Sequence, residues 1–201
     1  GSGFLGSALV RKLVKLGYNV RVLDNNFRGS SRRLSEVIDD IEFIQGDIRD
    51  QETVNNASSG VDWIFHLAFV NGTRFFYEKA DLVLDVGVKG TLTTMEAAKK
   101  NKVEKYILAS SSEVYQQPTK VPTDEAERAM IPDVTNPRFS YSGGKLISEL
   151  LTLHYLQPQD LKRIIFRPHN IYGPDMGWEH VIPDFMIRLR EILKIEKTDG
   201  E

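Results

Sequence analysis

Tyr141-Ser-Gly-Gly-Lys145 sets a phenol and an ammonium group one helical turn apart and on one face. A free phenol ionises near pH ~10 and is a poor base at neutral pH. A cation held beside it favours the phenolate and lowers that pKa, which makes an acid/base of the pair. On a solvated helix face the same two residues do nothing. Three hydroxyls, Ser110, Ser111 and Ser112, follow an apolar run, and one of them there can hydrogen-bond the same substrate oxygen. Glu113 comes next and reads either as a second base or as a surface carboxylate.

The chain opens with Gly3-x-x-Gly6 at the head of a helical pattern of apolar residues, Leu5, Ala8, Leu9, Leu13, Val14 and Leu16. Glycines at a helix start let the backbone approach a pyrophosphate, whose charge meets the helix N-terminal N–H groups. Asp24 ends the next strand-like run, about twenty residues on, where a carboxylate accepts both ribose hydroxyls of an adenosine. Alone, each feature also reads as a turn or a strand-end cap; together they point to a dinucleotide. Arg28, Arg32 and Arg33 would suit a 2′-phosphate, but Asp24 would repel it, so NAD is expected before NADP. The four histidines, His66, His154, His169 and His180, have no metal-ligand spacing, and no metal is expected. Trp178 reads as a border of the substrate nucleotide or as a loop aromatic packed on the core.

These residues need elements to hold them. Strand-like runs at 18–23, 41–45, 61–67, 105–109 and 163–166 alternate with helical patterns at 5–16, 34–38, 51–57, 82–100, 141–155 and 185–193. Residues 25–33 are turn-rich, and 116–138 hold four of the eight prolines without periodicity, marking a long loop. Such alternation builds a parallel sheet covered by helices, whose ligands sit beyond the carboxyl ends of the strands. Each candidate falls just after a strand or at a helix start.

The 201 residues carry 26 basic and 28 acidic side chains, with 41% hydrophobic and 27% charged residues, the make-up of a soluble globule. A prior of roughly 150 residues per domain gives one domain, or one and part of a second. A net charge of −2 argues against nucleic acid as a partner. No apolar run approaches the ~18 residues of a membrane span, so no membrane is expected either. No basic stretch precedes the first apolar residues, so they do not read as a signal peptide. The absence of cysteine excludes disulfides, thiolate metal sites and thiol catalysis, and suits a reducing cytoplasm.

The segments GSGFLGS, LDN at 23–25, GDIRD at 46–50, HLA at 66–68, VKGT at 88–91, SSSEVY, YSGGK and RPHNIYGP at 167–174 resemble, in that order, the extended short-chain dehydrogenase/reductases. Within them the chain is similar to the NAD-dependent epimerase/dehydratases of nucleotide sugars. The resemblance spans essentially the whole chain. It implies an α/β fold, a Rossmann-type doubly wound parallel sheet whose first strand would precede residue 1. It also implies an NAD-binding domain over 1–165 and the beginning of a substrate-binding region over 166–201. The chain is therefore expected to be a fragment truncated at both ends.

The family's roles fall on this chain as follows. Gly3 and Gly6, with Phe4 and Leu5 between them, would receive the cofactor's pyrophosphate. Asp24 and Asn25 would hold the adenosine ribose, Asp47 and Ile48 would flank the adenine, and Leu67 and Ala68 would line the cofactor cleft. Ser111 would be the catalytic hydroxyl, Tyr141 the acid/base, and Lys145 the group that binds the nicotinamide ribose and tunes the tyrosine. Ser112 and Asn170 would touch the substrate. Where the family usually has Asn, this chain has Gly87, so that amide's role is missing. Glu113 matches the acidic form common among dehydratases and decarboxylases, and would remove the C5 proton once C4 is a ketone.

The expected activity is oxidation of a nucleotide-sugar C4 hydroxyl to a 4-keto intermediate by a cytoplasmic homodimer. A reductase or decarboxylase of the same family, and a non-catalytic dinucleotide-binding regulator, are the alternatives. Intact Ser111, Tyr141 and Lys145 argue against the last, since a binding module has no use for an activated phenol.

Overall fold

The computed structural model describes residues 1–158, 160–177 and 181–198. The chain divides into two units, Gly1–His169 and Asn170–Glu201.

In the first unit, α1 (Phe4–Lys15) leads into β1 (Val20–Asp24), a 3-10 segment (Ser31–Asp40) and β2 (Ile41–Gln45). Next come α2 (Gln51–Ala57), β3 (Trp63–His66), α3 (Thr73–Glu78) and α4 (Ala80–Leu84). A wide π-type turn (Asp85–Lys89) passes into α5 (Gly90–Lys100), followed by β4 (Lys105–Ala109), α6 (Ser140–Leu150), a second π-type turn (Leu151–Tyr155) and β5 (Lys162–Phe166). All strand pairs are parallel: β1 lies on β2, and β4 is the middle strand between β3 and β5. A central parallel strand has both faces covered, and β4 accordingly buries Tyr106, Ile107, Leu108 and Ala109.

Three apolar clusters hold the layers. Val10 of α1 packs with Val22 and Leu34. Met95, Tyr106, Leu108 and Leu156 fill the space behind β4. Ile48, Val54, Phe76, Val83, Val86 and Tyr141 form the cluster beneath the candidate site.

The helices carry detail that the sequence reading did not. Residues 82–100 are helical throughout, as expected, but with a π-type turn inside: the N–H of Gly90 bonds back to Asp85, five residues away, and the Thr91 hydroxyl donates to the Gly87 carbonyl at 2.6 Å. Such wide turns insert a residue into a helix and re-aim its face, often beside functional sites. Helix α3 has no counterpart in the sequence reading; its two phenylalanines and tyrosine gave no clean period. The 3-10 segment runs further than the short helix expected at 34–38. The helix expected over 141–155 is observed over 140–155, its last turn, from Leu151, being of the wide π type.

The second unit contains α7 (Val181–Thr198), which starts earlier than the sequence pattern and carries an Asp184–Arg188 ion pair at 2.9 Å in its first turns. Among the described residues no helix is long and apolar enough to cross a membrane.

Candidate active site

Helix α1 starts at Phe4 with Gly3 as its N-cap, so the helix N-terminus is closed by no side chain of that residue. The two glycines do different work. A Cβ on Gly6 would lie 2.6 Å from the Gly1 carbonyl oxygen, so Gly6 lets α1 pack against the chain's first residues. A Cβ on Gly3 would meet nothing within 4 Å among the described residues, so Gly3 leaves the helix end open. Open N–H groups and the helix dipole there suit an anion. The neighbouring loop is tightly seated: a Cβ on Gly29 would collide with Ser2, whose carbonyl accepts from the Ser30 N–H at 3.1 Å.

Asp24 is built into this loop. One carboxylate oxygen accepts from the Ser2 N–H at 2.8 Å and from the Gly1 nitrogen at 2.6 Å, and the other accepts from the Asn26 N–H at 2.8 Å. These three bonds leave about one acceptor position, on the oxygen that bonds Asn26, so the cap and ribose readings of Asp24 are compatible for one hydroxyl. The Asn25 amide donates to Asp47 at 3.1 Å. Arg49 grips Asp47 through bonds of 2.7 and 2.9 Å and reaches Asp85 at 2.7 Å. The Arg49 guanidinium holds the Asp47 carboxyl down at about 2. Ile48 is buried against Gly90, where a Cβ would lie 2.3 Å from the isoleucine. Leu67 and Ala68 follow β3 and are half-buried.

Beyond β4, Tyr141 and Lys145 sit on α6, with 8% and 3% of their surface exposed. Ser111 is buried beside Tyr141, whose pKa it pulls down, and its hydroxyl accepts from the Glu113 N–H at 3.2 Å. Lys145 donates to the Ala109 carbonyl at 2.6 Å. Three aromatic rings close the space: Phe69 meets Tyr141 edge-on and Phe76 stacks on it, each at 5.2 Å between centroids.

The electrostatics differ from the expected tuning. Burial pushes the Tyr141 phenol up to about 12, against the pull of the Ser111 hydrogen bond, and the Glu113 charge adds to the rise. Burial also brings the Lys145 ammonium down to about 7, with Glu149 opposing it. The expected lowering of the phenol by Lys145 is not what this structure shows: burial is the largest influence on the phenol, and the lysine nitrogen stands 5.7 Å from the tyrosine ring centroid.

The three serines separate. Ser111 turns to Tyr141, whereas the Ser110 hydroxyl donates to Glu149. The Ser112 side chain lines a groove of about 660 Å3 together with Tyr115, Phe166, Arg167 and His169. Glu113 is neither a free surface carboxylate nor buried: Arg138 pairs with it at 3.0 Å and lies over the Phe76 ring.

His66 is buried with its Nε2 3.0 Å from the Thr91 hydroxyl, and burial drives its pKa down to about 3, so it is a neutral core residue. Arg28 lies over the Phe75 ring, 5.2 Å from its centroid. Asn170 is the first residue of the second unit and is exposed. Trp178 and His180 lie outside the described residues.

The sequence reading missed three participants. Glu149 lies four residues after Lys145, continuing the Tyr141–Lys145 stripe, and that spacing was the available signal. Buried, it accepts two bonds from Arg167, at 2.8 and 2.6 Å, and Arg167 also donates to the Tyr115 hydroxyl at 2.7 Å. Phe69 fills the space beside Gly87, where a Cβ would stand 2.3 Å from the ring.

A glycine loop at a helix N-terminus, an acidic strand end and parallel strands wrapped by helices define an α/β protein of the Rossmann type. The chain belongs to the NAD dependent epimerase/dehydratase family, whose model matches residues 1–200. It is similar to the UDP-N-acetyl-alpha-D-glucosaminuronate decarboxylase of Bacillus cytotoxicus, at 35% identity over 189 residues, 92% of this chain and 58% of that protein. Among solved structures it resembles a dTDP-glucose 4,6-dehydratase double mutant from Streptomyces venezuelae with NAD bound. There the TM-score is 0.82 and the identity 28%, covering 95% of this chain and 60% of that one. The UDP-glucose 4-epimerase of Thermotoga maritima with UDP-glucose gives a TM-score of 0.74 at 28% identity, over 87% and 55% of the two chains. The chain thus spans less than two thirds of the length of these relatives.

Proposed function

We propose that this protein binds NAD and oxidises the C4 hydroxyl of a nucleotide-linked sugar to a 4-keto intermediate, as a nucleotide-sugar epimerase/dehydratase. The observation that carries this reading is the buried trio of Ser111, Tyr141 and Lys145, with the serine beside the phenol and the ammonium one helical turn on. The residues present fit the cofactor: Gly3 leaves open a cradle that a side chain would fill, and Asp24 keeps acceptor capacity beside it. Gly3, Phe4, Leu5 and Gly6 would hold its pyrophosphate, Asp24 and Asn25 the adenosine ribose, Asp47 and Ile48 the adenine. Leu67 and Ala68 would border the cleft and Lys145 the nicotinamide ribose. NAD, when bound, supplies the hydride acceptor.

Tyr141 takes the C4 hydroxyl proton, and Ser111, beside the phenol, steadies the oxygen. At about 12 the phenol stays protonated at neutral pH and cannot take that proton, so a cation must come to bear on it in the working complex. Lys145, which titrates at about 7, is the group within reach that carries that charge when protonated. Glu113, oriented by Arg138, then removes the C5 proton made acidic by the ketone. Ser112 and Asn170 are assigned to the substrate. We assign residues 1–165 to cofactor binding and 166–201 to the start of the substrate-binding region. A homodimer in the cytoplasm is the setting we propose, the compartment being consistent with a chain without cysteine.

A second reading, decarboxylation of a nucleotide-sugar acid, is favoured by the 35% identity to a protein named for that activity. Both readings begin with C4 oxidation, and one experiment tests them. The protein is mixed with NAD and a panel of neutral and acidic nucleotide sugars, and nicotinamide absorbance and carbon dioxide are followed. A transient rise in reduced nicotinamide is expected, with carbon dioxide released only on the second reading. Tight NAD binding with no reduction by any sugar would return the protein to a non-catalytic binder.

A further inference from the structure

Phe69 follows β3 and reaches across to two helices. Its ring lies over the Lys145 ammonium, 4.1 Å from Nζ to the centroid, and meets Tyr141 edge-on at 81° between planes. The seat exists because two glycines face it. A Cβ on Gly87, in the wide turn before α5, would stand 2.3 Å from the ring, and one on Gly144, in α6, 2.9 Å from it. Real Cβ contacts are not that short, so any side chain at Gly87 would displace the phenyl group. A large residue on one element and glycines on two others complement one another in shape.

We propose that Phe69 is a positioning residue for the Lys145–Tyr141 pair. Its π face holds the lysine ammonium in place and its contact with the tyrosine fixes the distance between them, in a slot kept open by Gly87 and Gly144. The negative face of an aromatic ring attracts a cation, and the attraction grows with desolvation: Lys145 is 3% exposed and Phe69 is partly buried. The inference rests on reading Lys145 and Tyr141 as the working pair. Other titratable groups around Lys145 are Tyr141 and Glu149 on its own helix, His66 from β3, and Glu113 acting on the phenol.

The test replaces Phe69 with pentafluorophenylalanine, which keeps the ring nearly isosteric and removes the negative charge from its face. The titration midpoint of Lys145 is read from its side-chain NMR signal, assigned by its loss in Lys145→Met. Fluorination should lower the midpoint by roughly one pH unit, the scale of a partly buried cation–π contact. Gly87→Ala should lower it as well, by pushing the ring off the ammonium. A fluorinated protein whose midpoint matches or exceeds that of the parent overturns the proposal and makes the ring a space-filler. Should Gly87→Ala fail to fold, the fluorinated protein still decides. The titration needs neither NAD nor a sugar, so failure of the proposed activity and failure of this inference are separate results.

Discussion

Lys145 costs the fold stability in a pH window that can be calculated. Burial pulls its ammonium from 10.5 down to about 7. Between those values the unfolded chain holds a proton on this lysine that the folded protein has released, so stability rises with pH across the window and is flat below it. At 1.36 kcal/mol per pKa unit, the penalty present at pH ~6 and relieved by pH ~10 amounts to about 4–5 kcal/mol. His66 overlaps only the acid edge of this range: its neutral form is favoured by burial, so its contribution changes between about 3 and 6.5, and it does so in parent and variant alike. Tyr141 acts the other way, but only above its ordinary value of 10, where the unfolded chain ionises first. Lys145→Met removes the titration and keeps an apolar stem, while leaving the Ala109 carbonyl without its donor at a cost of about 1–3 kcal/mol. Urea unfolding between pH ~6 and ~10 should therefore show a rising stability for the parent and a nearly flat one for Lys145→Met. The variant should be the more stable protein at the acid end by about 2 kcal/mol. A parent curve that is flat, or a variant that keeps the parent's slope, would refute the reasoning and leave Lys145 charged in the fold.

Tyr141→Phe should reduce turnover at least ~100-fold while leaving NAD affinity nearly unchanged, as steady-state kinetics and a binding titration would show; turnover within a few-fold of the parent removes the phenol from the mechanism. Glu113→Gln should abolish exchange of the sugar's C5 hydrogen with deuterated solvent but leave the first nicotinamide reduction visible, whereas an active parent that takes no label at C5 is a plain 4-epimerase. Glu149→Gln should destabilise the protein by about 2–4 kcal/mol in urea unfolding, because it breaks a carboxylate pair buried to 5% exposure and leaves Arg167 uncompensated. A change below ~1 kcal/mol would mean the Arg167 side chain, 22% exposed, is already screened by water.

What the sequence by itself determined was the order of elements and the chemistry carried at their ends. Period-two and period-3.6 patterns located β2, β4 and α2 at their observed bounds, because each is a short element whose propensity and packing agree. The four-residue spacing put Tyr141 and Lys145 on one face, since helix geometry leaves no other outcome. Gly6 announced a close approach for a similar reason: a Cβ there would lie 2.6 Å from the Gly1 carbonyl oxygen, so only glycine lets α1 pack against the chain's first residues.

The tertiary structure decided what depends on neighbours distant in sequence. Three adjacent serines look alike in the chain, yet Ser110 goes to Glu149, 39 residues on, and Ser111 to Tyr141. The direction of the Tyr141 pKa was misjudged because a spacing shows a nearby cation and does not show how much water has been removed. Residues 82–100 read as one helix and form one, but the π-type turn inside it and the capture of the Gly87 carbonyl leave no trace in hydrophobic periodicity. Gly87 read as a lost amide. Its part in the fold depends on Phe69, a residue 18 positions earlier that only packing brings against it.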